Sequence, residues 1–232
     1  MIDEDFISFQ CPHCGGSVDY LKEFAGTVQG CPGCGGNVVV PEADGQPGKP
    51  LPLPIQTPRL LLRRLHARDW KDLLEFLADP DVYYYEPGEP MDEARLCAWL
   101  EADQGRNFAA GQPLYLAVTR REDEKTVGVL RLQFEDAAHL VASVWVRVHP
   151  RFQRQGLAVE ALQGLFKFCF EGIGLHRLVA SCDSRNEAAV RMLEKAGMRR
   201  EGEFLQDRLV DGKWADTCYY ARLAREPAPA GE

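Results

Sequence analysis

Residues 143–162 read SVWVRVHPRFQRQGLAVEAL. A β-branched apolar run, Val144 to Val148, stops at His149-Pro150, and a polar turn follows from Arg151 to Gln155. Gly156 then opens a stretch with Leu157, Ala161, Leu162 and Leu165 on one face, the spacing of an amphipathic helix. Strand, polar turn, glycine and helix in succession leave backbone N–H groups pointing outward at the positive end of a helix. That is an anion site of the kind that holds phosphates.

Around this segment the pattern alternates. The sequence predicts a strand over 59–66, a helix over 67–79, an aromatic loop at Tyr83-Tyr84-Tyr85 and a helix over 92–103. Strands are expected at 114–121, 126–134 and 140–148, with a turn at 122–125. After the helix opened by Gly156 come a strand at 177–182, a helix at 186–196 and two strands flanking Asp211-Gly212. The order βααβββαβαββ implies an α/β class of α+β mixed type. It has a mixed central sheet with helices on both faces.

The N-terminal part is different. Cys11-Pro-His-Cys14 and Cys31-Pro-Gly-Cys34 are two CxxC knuckles separated by 16 residues, each followed by Gly-Gly. That spacing suits a tetrahedral zinc ion with Cys11, Cys14, Cys31 and Cys34 as ligands. The glycine pairs permit the tight turns that aim both sulfurs at one ion. Disulfides are the competing reading, but the chain reads as cytoplasmic, where they are rare. Four thiolates fill the coordination sphere, so the expected duty is structural or docking, and His13 is an exposed neighbour. The segment resembles a zinc ribbon, with Val38-Val39-Val40 closing its sheet. Metal binding would be its folding energy, because it has few apolar residues. The proline- and glycine-dense run that follows reads as an extended tether. The expected division is a ribbon over 1–40, a linker over 41–57, a main domain over 58–224 and a flexible tail over 225–232.

With a formal charge of −8, the chain lacks the broad positive field of a sequence-independent nucleic-acid binder. Asp3, Glu4, Asp5, Asp19 and Glu23 surround the knuckles, against Lys22. Positive charge is local instead: Arg147, Arg151 and Arg154 bracket the turn, and Arg177, Arg185 and Arg191 follow. That fits a small anionic ligand. No apolar run approaches the ~20 residues of a membrane span, and the N-terminus lacks a signal-peptide core. A soluble, cytoplasmic protein with no membrane partner is expected.

Gln153-x-x-Gly156-x-Ala158, in this order of elements, resembles the pyrophosphate loop of GNAT-fold acyl-CoA N-acyltransferases. SRNEAAVRMLEKAGM (184–198) resembles a second motif of that family. TPRLLLRRL and GKWADTCYYARL, at the two ends of the domain, are similar to the Rim-type protein N-terminal acetyltransferases. The resemblance implies acetyl-CoA as cosubstrate, with its pyrophosphate on the turn formed by Gln153, Arg154, Gln155, Gly156, Leu157 and Ala158. It implies pantetheine in a gap between the strands ending at Val148 and Cys182, pairing like an added strand. A backbone N–H near Val146 or Val148 would polarise the acyl carbonyl, and Asn186 would orient the thiol end while also capping its helix.

The expected catalytic groups depart from that pattern. Ser143 stands where Rim-type relatives often carry glutamate, Leu193 where other members have an acidic tyrosine, and Ala189 where a serine is common. Ser143, Tyr220 and Asp216 are the candidates from the residues present, with Glu135, Asp136, His139, Tyr219 and Cys182 as further polar neighbours. Tyr83 to Tyr85, Glu86 and Glu89 are expected along the acceptor cleft. The leading expectation is acetyl transfer to a primary amine, most readily a protein N-terminus or other protein amine. The other reading is a catalytically weak acyl-CoA-binding or interaction module whose ribbon docks a partner.

Overall fold

The computed structural model describes residues 6–11, 14–21, 24, 28–35, 37–40, 53–86, 88–104, 106, 112–136, 140–210 and 212–226. His13, residues 41–52 of the expected tether, His139, Asp211 and the tail beyond Glu226 lie outside them, as does the side chain of Asp136.

The N-terminal module is two hairpins. Strands β1 (Phe6–Gln10) and β2 (Ser17–Leu21) pair antiparallel, as do β3 (Val28–Gly30) and β4 (Asn37–Val39). The expected single sheet is therefore two separate two-stranded sheets, tied by the Tyr20 hydroxyl donating to the Gly30 carbonyl at 2.6 Å. Val18 and Val38 are buried against Cys11 and Cys31, with Phe9 and Tyr20 packed outside them. A core this small does not offset chain entropy by itself.

The main domain is one eight-stranded sheet in the order β11-β12-β10-β9-β8-β7-β6-β5. Its elements are β5 (Ile55–Gln56), β6 (Leu60–Arg64), α1 (Trp70–Leu77), α2 (Glu93–Gln104), β7 (Leu114–Arg120), β8 (Thr126–Asp136) and β9 (Val141–Val148). They continue with α3 (Leu157–Lys167), β10 (Arg177–Asp183), α4 (Glu187–Lys195), β11 (Arg199–Val210) and β12 (Lys213–Leu223). The sequence order holds with one addition, β5. Ile55 and Gln56 pair with Leu62 and Leu61, so these linker residues are the edge of the sheet. Their apolar neighbour is α3, where Gly164 leaves room: a Cβ there would meet Thr57 at 2.7 Å. At the other end of the domain, Glu226 accepts from the Leu223 amide at 2.9 Å and pairs with Arg199.

Helices cover both faces. Leu157, Ala161, Leu162 and Leu165 of α3 and Leu193 of α4 pack with Val144, Leu178 and Tyr220 on one side. On the other, Leu73, Phe76 and Leu77 of α1 and Leu96 and Leu100 of α2 pack on Ala117 and Val129. Alternation along β9 sorts its side chains: Ala142 and Val144 enter the first cluster, and Trp145 the second.

All neighbouring pairs in the sheet are antiparallel except β9 with β10. That parallel pairing covers Val141, Ala142 and Ser143 against Arg177, Leu178 and Val179, and then stops. Beyond Ser143, β9 stays paired with β8 out to Val148, and β10 stays paired with β12 out to Asp183. The two strands diverge, leaving a slot in the middle of the sheet.

Candidate active site

The slot has a cradle at one end. Gly156 adopts φ +77 and N-caps α3 with no side-chain cap, so the first amides of an eleven-residue helix face out without a partner from a capping side chain. Arg154, at φ 60, is also left-handed, and Gln153, Arg154, Gln155 and Gly156 are exposed. The turn is held from behind. The Gln153 side chain donates to the Val148 carbonyl at 3.0 Å, and the Arg151 amide donates to His149 Nδ1 at 3.1 Å. Arg59 donates to the Gln155 carbonyl at 2.9 Å and pairs with Glu160 at 2.6 Å. A positive helix end with uncapped amides fits a pyrophosphate.

At the fork itself lies Ser143. Its Oγ is buried and has no hydrogen-bond partner among the described residues. Asn186 N-caps α4, its side chain accepting from the Ala189 amide at 3.0 Å.

Beside the slot, on the face covered by α1 and α2, is a cavity of about 380 Å³. Its aromatic lining is Tyr83, Trp99, Tyr115 and Trp145. Its charged lining is Glu86 with Arg131, Arg147 and Arg208, and Ser181 and Cys182 reach it from β10. Tyr115, Arg131 and Trp145 stand side by side across β7, β8 and β9. Arg147 donates to Glu86 at 2.8 Å and lies over the rings of Tyr83 at 4.4 Å and Trp145 at 4.7 Å. The Trp145 indole also donates to Glu86, at 2.9 Å. The Glu86 carboxylate is thereby fixed at the cavity wall.

A family model for the acetyltransferase (GNAT) domain matches residues 59–199. The chain belongs to the GNAT acetyltransferase family. It is an acetyl-CoA-dependent N-acetyltransferase. It is 32% identical over 172 residues to the uncharacterized N-acetyltransferase YnaD of Bacillus subtilis (strain 168), covering 74% of this chain and 98% of the relative. A crystal structure of a GNAT-family acetyltransferase from Bacillus anthracis superposes with a TM-score of 0.67 at 30% identity, over 74% of this chain and 99% of that one. A [ribosomal protein uS5]-alanine N-acetyltransferase of Escherichia coli (strain K12) is 24% identical over 169 residues, covering 70% of this chain and 86% of the relative.

Within this GNAT domain the residues singled out from the sequence separate into groups. Val146, Val148 and Gln153 to Ala158 lie together along the slot and its cradle. Tyr83 and Glu86 line the cavity. Glu89 does not; it pairs with Arg95 on the surface at 3.1 Å. Tyr220 and Asp216 are also away from the cavity. Tyr220 is 1% exposed in the core, its hydroxyl donating to Glu194 at 3.3 Å. Burial, reinforced by the Glu194 charge, pushes that phenol up to about 12. Asp216 accepts from the Gln206 amide at 2.7 Å and so braces the β11–β12 hairpin. Tyr219 takes the opposite face and is exposed, near Asp207. Cys182 borders the cavity while packing in the α3 and α4 cluster, and burial, then Cys218, push its thiol up to about 12.

The sequence reading missed Arg131, Trp145 and Arg208. Trp145 was legible, alternating with valines in VWVRV. Arg131 was too, as one cation inside VGVLRLQF. Arg208 carried no such signal, because a β-bulge between Phe204 and Arg208, with Gln206 at φ 49, re-aims it.

The four N-terminal cysteine sulfurs lie within 4.8 Å of one another. Cys11 to Cys34 is 3.8 Å and Cys14 to Cys31 is 3.9 Å. A tetrahedral ion with Zn–S bonds of about 2.3 Å sets sulfurs about 3.8 Å apart, so the cluster fits zinc. Gly15 and Gly35 take φ +70 and +72, and each amide donates back to the first cysteine of its knuckle, at 2.9 and 2.8 Å.

Proposed function

We propose that the chain acetylates the terminal amine of a peptide or protein, and that its four cysteines hold a structural zinc in a docking module. The observation that carries the acyl-transfer reading is the slot between β9 and β10, open between the uncapped start of α3 and the aromatic cavity. The acceptor class is supported by likeness to a relative named for acetylating a ribosomal-protein alanine, and by a cysteine module outside the matched region of 59–199.

In this reading acetyl-CoA supplies the thioester. The amides of Gln155 to Ala158 hold its pyrophosphate, and the free edge of β9 from Val144 to Val148 receives its pantetheine arm. The acceptor amine enters through the cavity. Its nitrogen lone pair forms the new C–N bond as the C–S bond breaks. The ammonium gives up one proton before attack, and after attack the nitrogen loses a second, which ends on the departing sulfur so that coenzyme A leaves as its thiol. Glu86 is the carboxylate of the cavity lining and is the group that would orient the ammonium and draw off its proton. Arginines close to an ammonium also favour its neutral, nucleophilic form. Ser143 Oγ, unpartnered at the fork, would hydrogen-bond the ligand there. With these groups positioned, the absence of a glutamate at residue 143 does not prevent turnover.

Thermal melting with and without acetyl-CoA tests the cradle. The cosubstrate should raise Tm, Gly156→Asn should keep that shift because Asn tolerates a left-handed φ, and Gly156→Glu should lose it. An undiminished shift in Gly156→Glu would remove the pyrophosphate from this turn. Thiol release with N-terminal peptides then tests the acceptor.

A further inference from the structure

The cavity carries more positive charge than its own structure uses. Of its three arginines, Arg147 is committed, hydrogen-bonded to Glu86 and stacked between Tyr83 and Trp145. The other two are not. Arg131 rises from the floor on β8, and its buried Nε has no hydrogen-bond partner among the described residues. Arg208 enters from β11, and its Nε and Nη2 are likewise buried without a hydrogen bond. Arg208 Nη2 is 3.9 Å from Asp183, but that carboxylate is already taken by Arg185, at 2.9 and 2.7 Å. Asp207, the next carboxylate along β11, is occupied by the Thr217 hydroxyl at 2.7 Å.

A guanidinium left without hydrogen bonds in a partly dehydrated site is unfavourable unless something arrives to accept them. An incoming carboxylate does so with two parallel bonds. A polycationic amine does the reverse, meeting three arginines with only Glu86 to balance them.

We propose that the acceptor is an amine that also carries a carboxylate, met by the free guanidinium edges of Arg131 and Arg208. This rests on the acyl-transfer reading above and narrows its substrate. The carboxylate comes either from an acidic side chain beside a peptide N-terminus or from a free acidic amino acid. The anion draws the acceptor in, and Glu86 takes the ammonium end. Specificity then follows from leaving Arg131 and Arg208 unsatisfied whenever a neutral acceptor binds.

The test uses the full chain and three probes: a peptide beginning Ala-Glu, its Ala-Gln counterpart, and spermidine. Thiol release from acetyl-CoA should give the Ala-Glu peptide a kcat/KM about tenfold above Ala-Gln, with spermidine lower still. Arg131→Gln and Arg208→Gln should each bring that ratio toward one while the acetyl-CoA-induced rise in Tm stays as in the parent. Free glutamate is the fourth arm. Its turnover in place of both peptides would keep the carboxylate and overturn the peptide acceptor.

Binding is read separately by quenching of Trp99 and Trp145 fluorescence in the coenzyme A-loaded chain, so the inference is decided even if no peptide is turned over. Tighter binding of Ala-Glu than Ala-Gln, lost in the two variants, supports it. Equal binding of the two peptides, a preference for spermidine, or a ratio unmoved by both variants overturns it.

Discussion

Glu86 shows how a loop carboxylate is fixed at a cavity wall. It follows three tyrosines just past a short 3-10 turn at Pro80–Tyr83, and two donors on β9 converge on it: Trp145 at 2.9 Å and Arg147 at 2.8 Å. Those donors sit two residues apart, so the pleat points both to the same face. Glu86→Gln keeps the shape and removes the charge. It should lower kcat about a hundredfold, the lower range for losing a general base, while the acetyl-CoA thermal shift is unchanged. A rate loss that vanishes at high pH, where the acceptor amine is already neutral, would identify proton removal as the missing step. Equal rates at all pH values would return Glu86 to a structural role.

At the scale of elements, α1 is set in place by one buried pair. Asp69, 4% exposed, receives both Arg63 Nη1 and Nη2 at 2.8 Å, the His66 amide at 2.8 Å and the Thr126 hydroxyl at 3.2 Å. Burial alone would raise its pKa, but the bonds from Arg63, His66 and Thr126 outweigh it and hold the carboxyl below the ordinary value. A depressed folded pKa stabilises the fold above the unfolded value of about 3.9. That contribution is lost as pH falls through the lower folded value. Asp69→Asn should therefore cost about 3 kcal/mol at neutral pH, by leaving Arg63 buried without its anion, and the deficit should shrink in acid. Urea titrations at pH 7 and pH 3 measure both.

The same scale shows what the sequence could and could not convey. Elements with a clean period were readable, from the apolar stripe of α3 to the alternation of β9, because each reports its own buried face. Asn186 was readable as a cap for the same local reason. The cavity was not, since it assembles Tyr83, Trp99, Arg131 and Arg208 from four separate elements. Tyr220 stood beside Tyr219 in the sequence, and only the pairing of β12 with β10 decided which one was buried.

On the scale of the whole molecule, the chain joins a small four-cysteine module to a domain with ample core of its own. No helix among the described residues is long and apolar enough to cross a membrane. Among the described residues of the small module, the buried apolar side chains are few: Ile7, Val18, Val38 and Val40 beside Cys11 and Cys31. A zinc chelator should therefore melt the N-terminal hairpins and leave the acetyl-CoA-induced rise in Tm of the GNAT domain as it was. Amide signals of residues 6–40 and the thermal shift, followed in one titration, separate the two. Loss of both together would mean that the module is part of the catalytic fold.

The parallel seam between β9 and β10 is three residue pairs long. The strands from β5 to β9 and the strands from β10 to β12 are therefore two plates hinged along one short edge, bridged by helices. A ligand lying in the slot becomes a strut between the plates. Filling the slot should therefore slow opening along that edge, which hydrogen exchange of the β9 and β10 amides with and without acetyl-CoA would read.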